Sequence, residues 1–386
     1  MNLNTNVKNK AIIVASVASM IQQFNMHNIQ LLLDNGYEVD VACNFDYGNT
    51  ISDEKIQDLI HELNNKGVRT FNVCIPRKIS NIRKIINSIK QLSKLFAENN
   101  YSLLHCHSPI GGAISRFVAK RYRNSDLKVI YTAHGFHFYK GAPLINWLLF
   151  YPVEYFFSWV TDVLITINYE DYNLANKYMH SKKVVYIPGI GIDTAKFKLC
   201  NFDRILKRSE LGINNNDTML LSVGELNNNK NHEVVIKALA KLKQDNIHYF
   251  IAGIGDNFNY LKTLSESLDV KLHLLGYRTD IVELLNCADI YVFPSIREGL
   301  SVALMEAMAS GLPCVVSRIR GNVDLIDDCI GGYLCSPREI QEFSYSLNNL
   351  INNKNKRKDF GNYNMIKIQK FDKMLVLNEM RNIYFS

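Results

Sequence analysis

Residues 290–313 read IYVFPSIREGLSVALMEAMASGLP and predict a strand, a loop and a helix in that order. The buried, apolar strand is predicted to end at Phe293. After the loop, a helix is predicted to begin near Gly299 or Leu300 and to end near Ser310, where a glycine and a proline follow. The first amides of a helix lack an intrahelical acceptor. A helix that starts beside a strand end therefore suits a phosphate or pyrophosphate.

The same alternation of short apolar runs and amphipathic segments extends over most of the chain. A polar loop is predicted after the first run, followed by a helix at 28–35. Runs without a polar face are typical of parallel strands that helices cover on both faces. We therefore predict an α/β protein with two doubly wound Rossmann-like domains. The apolar runs lie at 11–17, 39–43, 70–75, 103–106, 129–132, 163–167, 184–187, 219–223, 249–252, 271–275, 290–294 and 313–317.

A break in this alternation divides the chain. The segment PGIG at 188–191 interrupts the periodicity, and a polar, less regular stretch follows. We assign residues 1–195 to an N-terminal domain and 196–365 to a C-terminal domain, with 366–386 as a C-terminal helix that packs back on the N-terminal domain. Two such domains are expected to face a central cleft, where the carboxyl ends of their strands bind ligands.

Composition restricts the class of protein and of partner. The 386 residues are 47% hydrophobic and 21% charged, as in a folded globular protein, and a formal charge of +7 is too small for a nucleic-acid-binding surface. That charge is compatible with a polyanionic ligand or an anionic membrane surface. Eight cysteines without a C-x-x-C pair indicate reduced core thiols and no zinc site. Because neither a signal peptide nor a membrane-spanning apolar stretch is found, we expect a cytoplasmic protein.

Two acidic residues stand out in the quoted stretch. Glu306 lies about two turns into an otherwise apolar helix, where a buried carboxylate needs partners such as ligand hydroxyls. Alternatively, Glu306 lies on the solvent face of the helix, and Glu298 is an ordinary loop acid. Periodicity alone leaves both interpretations open.

His134 is the candidate functional residue of the first half. It follows a predicted strand and precedes Gly135, which allows close approach of the backbone to a ligand. A lone histidine is more often structural than functional, and His137 is a nearby competitor. His105 and His107 are expected to be structural residues at a strand end.

Six ordered segments resemble glycosyltransferase family 4, a retaining family with the GT-B fold. Glu298 and Glu306, with seven residues between them, resemble its E-x7-E signature. The resemblance covers nearly the whole chain and is to enzymes of bacterial capsule, exopolysaccharide and lipopolysaccharide O-chain synthesis. The similar segments are 132–143, 161–172, 187–197, 222–239, 276–295 and 317–326.

This resemblance implies that the first domain binds the acceptor and the second binds a nucleotide-sugar, with a bias to UDP. Glu306 would accept the ribose hydroxyls, and Glu298 would contact hydroxyls of the transferred sugar. The backbone amides of Gly299 and Leu300 would hold the diphosphate. Lys230 would neutralise the charge of that diphosphate.

One position departs from the family. The pattern V-G-R-x4-K has Glu225 in place of its arginine, so Arg297 or Arg278 would have to supply the missing charge. Tyr277 and Arg278 lie where the family's backbone recognises the nucleobase. By similarity to the first-domain histidine of the family, His134 would contact the donor sugar and the reaction centre.

Retention of configuration lets the leaving diphosphate accept the proton of the acceptor, and no carboxylate of the first half stands out as a general base for inversion. The D-x-D pair that chelates a metal in the other major glycosyltransferase fold is absent from the sequence. We therefore predict catalysis without a cofactor or a required metal. The implied acceptor is a polyprenyl diphosphate-linked saccharide. The implied location is the inner face of the cell membrane, as a peripheral protein.

Two segments of the first half relate to membrane attachment. Residues 77–96 carry six Lys or Arg and no acid, with isoleucines at helical spacing, which predicts a basic amphipathic helix. An ordinary covering helix with a solvated basic face is the alternative. The aromatic stretch 136–159 is too broken to span a bilayer and forms either an interfacial surface or part of the packed domain. Further positive charge comes from Arg116, Lys120, Arg121 and Arg123.

Two other functions are alternatives to sugar transfer. Gly253-Ile-Gly255 and Gly189-Ile-Gly191 resemble the start of an oxidoreductase dinucleotide fingerprint, but both lack its third glycine. The second alternative is a noncatalytic sugar-nucleotide or polysaccharide-binding protein on the same fold. Glu225 is its best support.

Overall fold

A computed structural model of the chain describes residues 9–123, 126–197 and 202–386. The chain folds into two compact units. One comprises the chain up to Ile190 together with Val376–Ser386, and the other comprises Gly191–Leu375. The predicted boundary after residue 195 lies slightly beyond the first division, and the one after 365 lies before the second.

The first unit is a parallel sheet covered by helices. Its strands β1 to β7 are Lys10–Val17, Glu38–Asn44, Arg69–Asn72, Leu103–His107, Lys128–Ala133, Val163–Thr166 and Lys183–Tyr186. Its helices α1 to α7 are Ala18–Phe24, Met26–Asp34, Asp53–Asn65, Ile82–Glu98, Pro109–Tyr122, Leu144–Ser158 and Tyr169–Tyr178. The strand order is β3-β2-β1-β4-β5-β6-β7, with every pairing parallel.

The second unit repeats this design with six strands. Strands β8 to β13 are Thr218–Val223, Ile247–Ala252, Leu272–Gly276, Ile290–Phe293, Cys314–Ser317 and Gly332–Cys335. Helices α8 to α15 are Arg204–Glu210, His232–Ala240, Phe258–Ser267, Ile281–Cys287, Val302–Ala309, Asn322–Leu325, Ile340–Ile351 and Lys354–Lys367, and α16 is Lys373–Phe385. The strand order is β10-β9-β8-β11-β12-β13, again parallel throughout.

The apolar runs of the sequence are explained by burial on both faces of each sheet. In β1, Ile12 and Val14 belong to one core cluster, whereas Ala11, Ile13 and Ala15 belong to the cluster on the other face. Each fully buried isoleucine contributes about 1.5–3 kcal/mol relative to an exposed one. A strand between two helix layers therefore has no polar face, as the sequence predicted.

Most of the last helix, from Val376 onward, belongs to the first unit. Val376, Met380, Ile383 and Tyr384 of α16 are buried among the core residues packed against β1 and β2. Apolar residues spaced by three or four positions form one face of a helix, which explains why this set is buried together. The C-terminus thereby contributes directly to the packing of the sheet that carries His134.

Two elements were absent from the sequence-based prediction. Residues 18–24, predicted as a polar loop, form α1, because Ala18 and Ile21 are buried on one face of a helix too short to show a period. The strand β13, which begins at Gly332, was missed because its apolar run is only the three residues 333–335. A side chain at Gly332 would overlap the carbonyl oxygen of Cys314 on the neighbouring strand, so this close approach requires glycine.

The cysteines of the described residues are all free thiols. Five of these thiols are buried, in agreement with the predicted core positions, whereas Cys74 is partly buried and Cys329 is exposed. Cys200 lies outside the described residues.

Candidate active site

The loop after β8 brings a lysine onto the acidic loop after β11. Lys230 Nζ lies 2.8 Å from Glu298 Oε1 and 4.8 Å from the centroid of the Phe293 ring. Gly224 leaves room for the lysine stem, since a Cβ there would come within 3.2 Å of Lys230 Cε. The two charged side chains are only 20% and 17% exposed. The structure thus joins two residues that the sequence predicted separately.

Asparagines on the lysine loop hold the acidic loop in place. The Asn229 side-chain amide donates to the carbonyl oxygen of Arg297 at 3.0 Å, and the amide of Ile296 donates to the carbonyl oxygen of Asn229 at 2.7 Å. Asn231, in the left-handed region with φ of 55°, donates from its side chain to the carbonyl oxygen of Pro294 at 3.1 Å. These bonds fix the distance between the two loops and so support the ion pair.

The helix predicted to begin at Gly299 or Leu300 begins at Val302 instead. Ser301 is its N-cap, and its Oγ accepts a hydrogen bond from the amide of Leu304 at 3.2 Å. A serine is a stronger cap than the residues before it, so Gly299 and Leu300 stay in the loop. Within the described parts of the chain, the amides of Gly299 and Leu300 have no hydrogen-bond acceptor. They are therefore available to a ligand as loop amides.

Arg320 contacts this loop, and the sequence pattern did not point to it. Arg320 is 8% exposed, and its Nε donates to the carbonyl oxygen of Glu298 at 3.2 Å. A side chain at the neighbouring Gly321 would overlap the carbonyl oxygen of Gly299, so the two loops are in close contact. Arg320 follows β12 at its carboxyl end, which is where ligand-binding loops of parallel sheets lie. That position was the available signal.

Glu306 is half-buried on α12. Burial raises its pKa to about 7, and Lys196 offsets part of this rise. Among the described residues, its carboxylate has no hydrogen-bond or ion-pair partner. Burial raises the pKa of Tyr291 well above its ordinary value, with smaller contributions from Glu306 and Glu298, so both acids lie near one buried phenol. A desolvated carboxylate without a protein partner is suited to ligand hydroxyls.

Arg278 and Arg297, the two candidates for the positive charge that Glu225 leaves missing, differ in their surroundings. Arg278 forms two hydrogen bonds with the Asp280 carboxylate, of which the Nε–Oδ1 bond is 2.7 Å long. Arg297 is exposed, and its guanidinium has no acid partner among the residues that the structure describes. Glu225 and Tyr277 are also exposed. Of the two candidates for the missing charge, Arg297 is therefore the one that is not already neutralised.

In the first unit, His134 follows β5 directly and meets His107, the last residue of β4. His134 Nε2 lies 3.1 Å from His107 Nδ1, and the Phe24 ring packs 4.9 Å from the His134 ring. His137 instead stacks on Phe150 at 4.5 Å. The sequence pattern presents these histidines one by one, whereas the structure pairs two of them.

Comparison with known proteins defines the family. The family model described as glycosyl transferases group 1 matches residues 203–366, and the model described as glycosyl transferase 4-like matches residues 13–168. The chain is 32% identical over 381 residues to the protein named EpsD of Bacillus subtilis (strain 168), which is assigned by name to the glycosyltransferases. This match covers 97% of this chain and 96% of that one. The chain belongs to the GT-B glycosyltransferases.

Further similar proteins support the assignment of this glycosyltransferase to its family and fold. It is 30% identical over 339 residues to the Escherichia coli UDP-Gal:alpha-D-GlcNAc-diphosphoundecaprenol alpha-1,3-galactosyltransferase, a match that covers 85% of this chain and 84% of that one. The crystal structure of HepE from Anabaena in complex with UDP has the same fold, with a TM-score of 0.75 at 16% identity. That match covers 97% of this chain and 99% of the other. The predicted family and fold are thus confirmed.

The oxidoreductase alternative is wrong, and the structure explains the glycines that suggested it. A side chain at Gly253 would overlap the carbonyl oxygen of Gly224, and one at Gly255 would overlap that of Leu226. These glycines let the loop after β9 pack against the loop after β8. In this glycosyltransferase they serve loop packing around the lysine loop.

Proposed function

We propose that this glycosyltransferase moves a hexose or N-acetylhexosamine from a UDP-linked donor to a polyprenyl diphosphate-linked saccharide, with retention of configuration, in surface polysaccharide synthesis. The arrangement that carries this proposal lies in the second unit. There the Lys230–Glu298 pair, the unpaired amides of Gly299 and Leu300, and the desolvated Glu306 match a diphosphate joined to a sugar and a ribose. Relatives named for transfer to undecaprenyl diphosphate-linked sugars support the acceptor class.

In this proposal each residue of the second unit has one task. Glu306 accepts hydrogen bonds from the ribose hydroxyls, and Glu298 accepts hydrogen bonds from the transferred sugar. Lys230 and the amides of Gly299 and Leu300 stabilise the charge that develops on the leaving diphosphate. The bond from the anomeric carbon to the phosphate oxygen breaks, and the bond to the acceptor oxygen forms on the same face. The acceptor proton goes to a diphosphate oxygen.

The first unit contributes His134 and the acceptor site in this proposal. His134 contacts the transferred sugar near its reacting carbon. Arg297 takes the place of the family's arginine, because its guanidinium is exposed and has no acid partner among the described residues. Tyr277 and Arg278 lie beside the nucleobase, with Arg278 held by Asp280.

The proposed function is tested with a panel of nucleotide-sugars and a synthetic polyprenyl diphosphate-linked saccharide. We expect one UDP-sugar to be consumed, and NMR of the product to show the anomeric configuration of the donor. Binding of donors without transfer or slow hydrolysis would instead favour the noncatalytic alternative. A product of inverted configuration would contradict retention.

Sugar transfer is expected to continue in excess EDTA. Lys230 and the amides of Gly299 and Leu300 supply the positive field that a divalent metal supplies at other diphosphate leaving groups. The measurement is the initial rate with EDTA and then with added Mg²⁺ or Mn²⁺, beside a metal-dependent glycosyltransferase that shows the chelation is complete. Strict dependence on manganese would refute the metal-free mechanism.

We further propose that α6 attaches the first unit to the cytoplasmic face of the membrane. No helix of the described chain is long and apolar enough to cross a bilayer. A row of large apolar side chains is exposed along α6 and at its end: Leu144, Ile145, Leu148, Leu149, Val153, Phe156 and Trp159. Contiguous exposed apolar surface indicates an interaction site, so this row supports the interfacial interpretation of 136–159.

The positive charge beside this row comes from fewer residues than the sequence suggested. Arg116 is buried and lies 2.7 Å from Glu154, and Arg123 lies 2.5 Å from Asp162. Because these two arginines are neutralised within the protein, α5 offers Lys120 and Arg121 to anionic lipid headgroups. The neighbouring α4, which packs against α5, adds exposed isoleucines and the basic residues of 77–96.

The double substitution Leu148→Glu with Phe156→Glu is expected to weaken binding to anionic phospholipid vesicles by at least about tenfold. Each large apolar side chain removed from water contributes about 1.5–3 kcal/mol, and a charge at the same place resists insertion. Vesicle flotation measures the bound fraction. Ile366→Glu, at a residue of the second unit that is 74% exposed, is the matched control and should leave binding unchanged. Undiminished flotation of the double variant would contradict the role of α6.

A further inference from the structure

Two buried histidines, His105 and His107, hold the ring of His134 in a defined orientation. His105 Nδ1 lies 2.7 Å from the Tyr384 hydroxyl, and His105 Nε2 lies 2.8 Å from Thr132 Oγ1. Both ring nitrogens of His105 are therefore engaged, one of them by the C-terminal helix α16. The His107 ring packs on this anchored ring with a centroid distance of 4.1 Å. The orientation of His107 is thus determined by its neighbours.

The bond from His107 uses one of the two ring nitrogens of His134. His134 Nε2 lies 3.1 Å from His107 Nδ1, and the Phe24 ring restricts rotation of the imidazole. Within the described residues His134 Nδ1 has no hydrogen-bond partner. The atom that His134 can offer to a ligand is therefore Nδ1.

Both rings are neutral at pH 7. Burial lowers the pKa of His134 to about 4 and the pKa of His107 well below its ordinary value, with further lowering of the latter by His105 and His134. Each neutral ring carries one proton, so one ring must donate and the other accept along the bond between them. Burial thus reduces the arrangement to two possible tautomer pairs.

The surroundings of His107 favour one of these pairs. His107 is 2% exposed, and its Nε2 is buried without a hydrogen-bond partner among the described residues. A buried N–H without an acceptor is rarer than a buried acceptor without a donor. The His107 proton therefore belongs on Nδ1, where it is donated to His134 Nε2. This places the single proton of His134 on Nδ1.

We propose that His107 is a positioning residue that holds His134 in the Nδ1–H form, so that His134 donates a hydrogen bond from Nδ1 to a hydroxyl oxygen of the transferred sugar. That the ligand is a sugar rests on the proposed function, whereas the tautomer of His134 does not depend on it. Positive charge develops on the sugar ring when a glycosidic bond breaks. A neutral donor orients the sugar without the repulsion that an imidazolium would add.

The tautomer is tested by NMR of the wild-type protein labelled with ¹⁵N in the histidine rings, at pH 7.5 and without donor. His134→Ala identifies the resonances of His134 by their loss. We expect His134 to carry its proton on Nδ1 and to accept at Nε2. A proton on Nε2, or a doubly protonated ring, would overturn the proposal even if sugar transfer proceeds.

Two substitutions at His107 test its positioning role. Asparagine places an amide N–H where His107 Nδ1 lies, whereas phenylalanine keeps the ring and loses the bond. We expect His107→Phe to move the His134 proton to Nε2 and to lower kcat about 5- to 10-fold, and His107→Asn to restore both the Nδ1–H form and most of kcat. Equal kcat for both variants would overturn the positioning role. Full transfer by His134→Ala would overturn donation to the sugar, whereas absence of transfer in the wild-type protein would count against the proposed function alone.

Discussion

Lys230→Ala is expected to lower kcat for sugar transfer by about 10²- to 10³-fold. Removing one preorganised group that stabilises charge developing in a transition state costs about 2.7–4 kcal/mol. Lys230 has this position because it lies 2.8 Å from Glu298 in a pair that is mostly shielded from solvent. The substitution also leaves Glu298 without its partner, which adds negative charge next to the leaving diphosphate. Steady-state rates with saturating donor measure the effect.

A second lysine of the same unit provides the control. Lys237 lies 2.5 Å from Glu233 as an i,i+4 pair on the surface of α9. Such exposed helix pairs contribute about 0.3–0.5 kcal/mol, so Lys237→Ala should leave kcat unchanged. If Lys230→Ala raised only KM, the lysine would bind the ground state rather than the transition state. That result would contradict the catalytic assignment.

Glu306→Ala is expected to weaken binding of the nucleotide-sugar by about 1–3 kcal/mol. At pH 8, above the pKa of about 7 of Glu306, the hydroxyls of a bound ribose would lose a charged acceptor in a desolvated place, where water compensates poorly. Isothermal calorimetry with the intact donor and with UDP measures the loss, which should be similar for both because both carry the ribose. Glu266→Gln, at an exposed carboxylate of α10, is the control. Unchanged affinity of Glu306→Ala would exclude ribose binding by this residue.

The raised pKa of Glu306 also predicts how stability depends on pH. The folded state holds the proton up to about pH 7, whereas the ordinary pKa is 4.5. Between these values the unfolded chain loses the proton first, so the contribution of this group to stability falls as pH rises through that window. Glu306→Gln should therefore leave the denaturant midpoint nearly unchanged at pH 4.5 and raise the free energy of unfolding by about 1–2 kcal/mol at pH 8. A stabilisation independent of pH would contradict this account.

Several features of the fold could be predicted because local sequence encodes them. The parallel strands appear as apolar runs, since residues such as Ile12 and Ile13 on opposite faces of β1 are both buried. The start of α12 could not be placed within three residues, because Gly299 and Ser301 can both begin a helix. The choice depends on the hydrogen bond from the Leu304 amide to the Ser301 side chain. The family could be predicted from the order of the motifs along the chain, and the two matching family models agree with that prediction.

For the stretch 136–159 the sequence pattern does not determine which side chains are buried. An aromatic, amphipathic segment has the same composition whether it packs inside a domain or faces a membrane. In the structure Trp147 and Tyr151 of α6 pack against the core of the first unit, whereas Leu148 and Phe156 are exposed. Which side of a helix is covered depends on its neighbours in the fold. The sequence therefore left two interpretations. The structure shows packing for one side of α6, whereas membrane contact of its exposed side is the proposal tested by vesicle flotation.

From its sequence alone this protein can be assigned to the α/β class, with two doubly wound domains and the motifs of a glycosyltransferase, because those properties follow from short patterns and their order. The pairing of Lys230 with Glu298, 68 residues apart, and of His107 with His134, 27 apart, follows from the tertiary structure. So does the desolvation that raises the pKa of Glu306. Charge pairing and loss of water depend on which loops meet at the carboxyl ends of the strands, and no local pattern encodes that meeting.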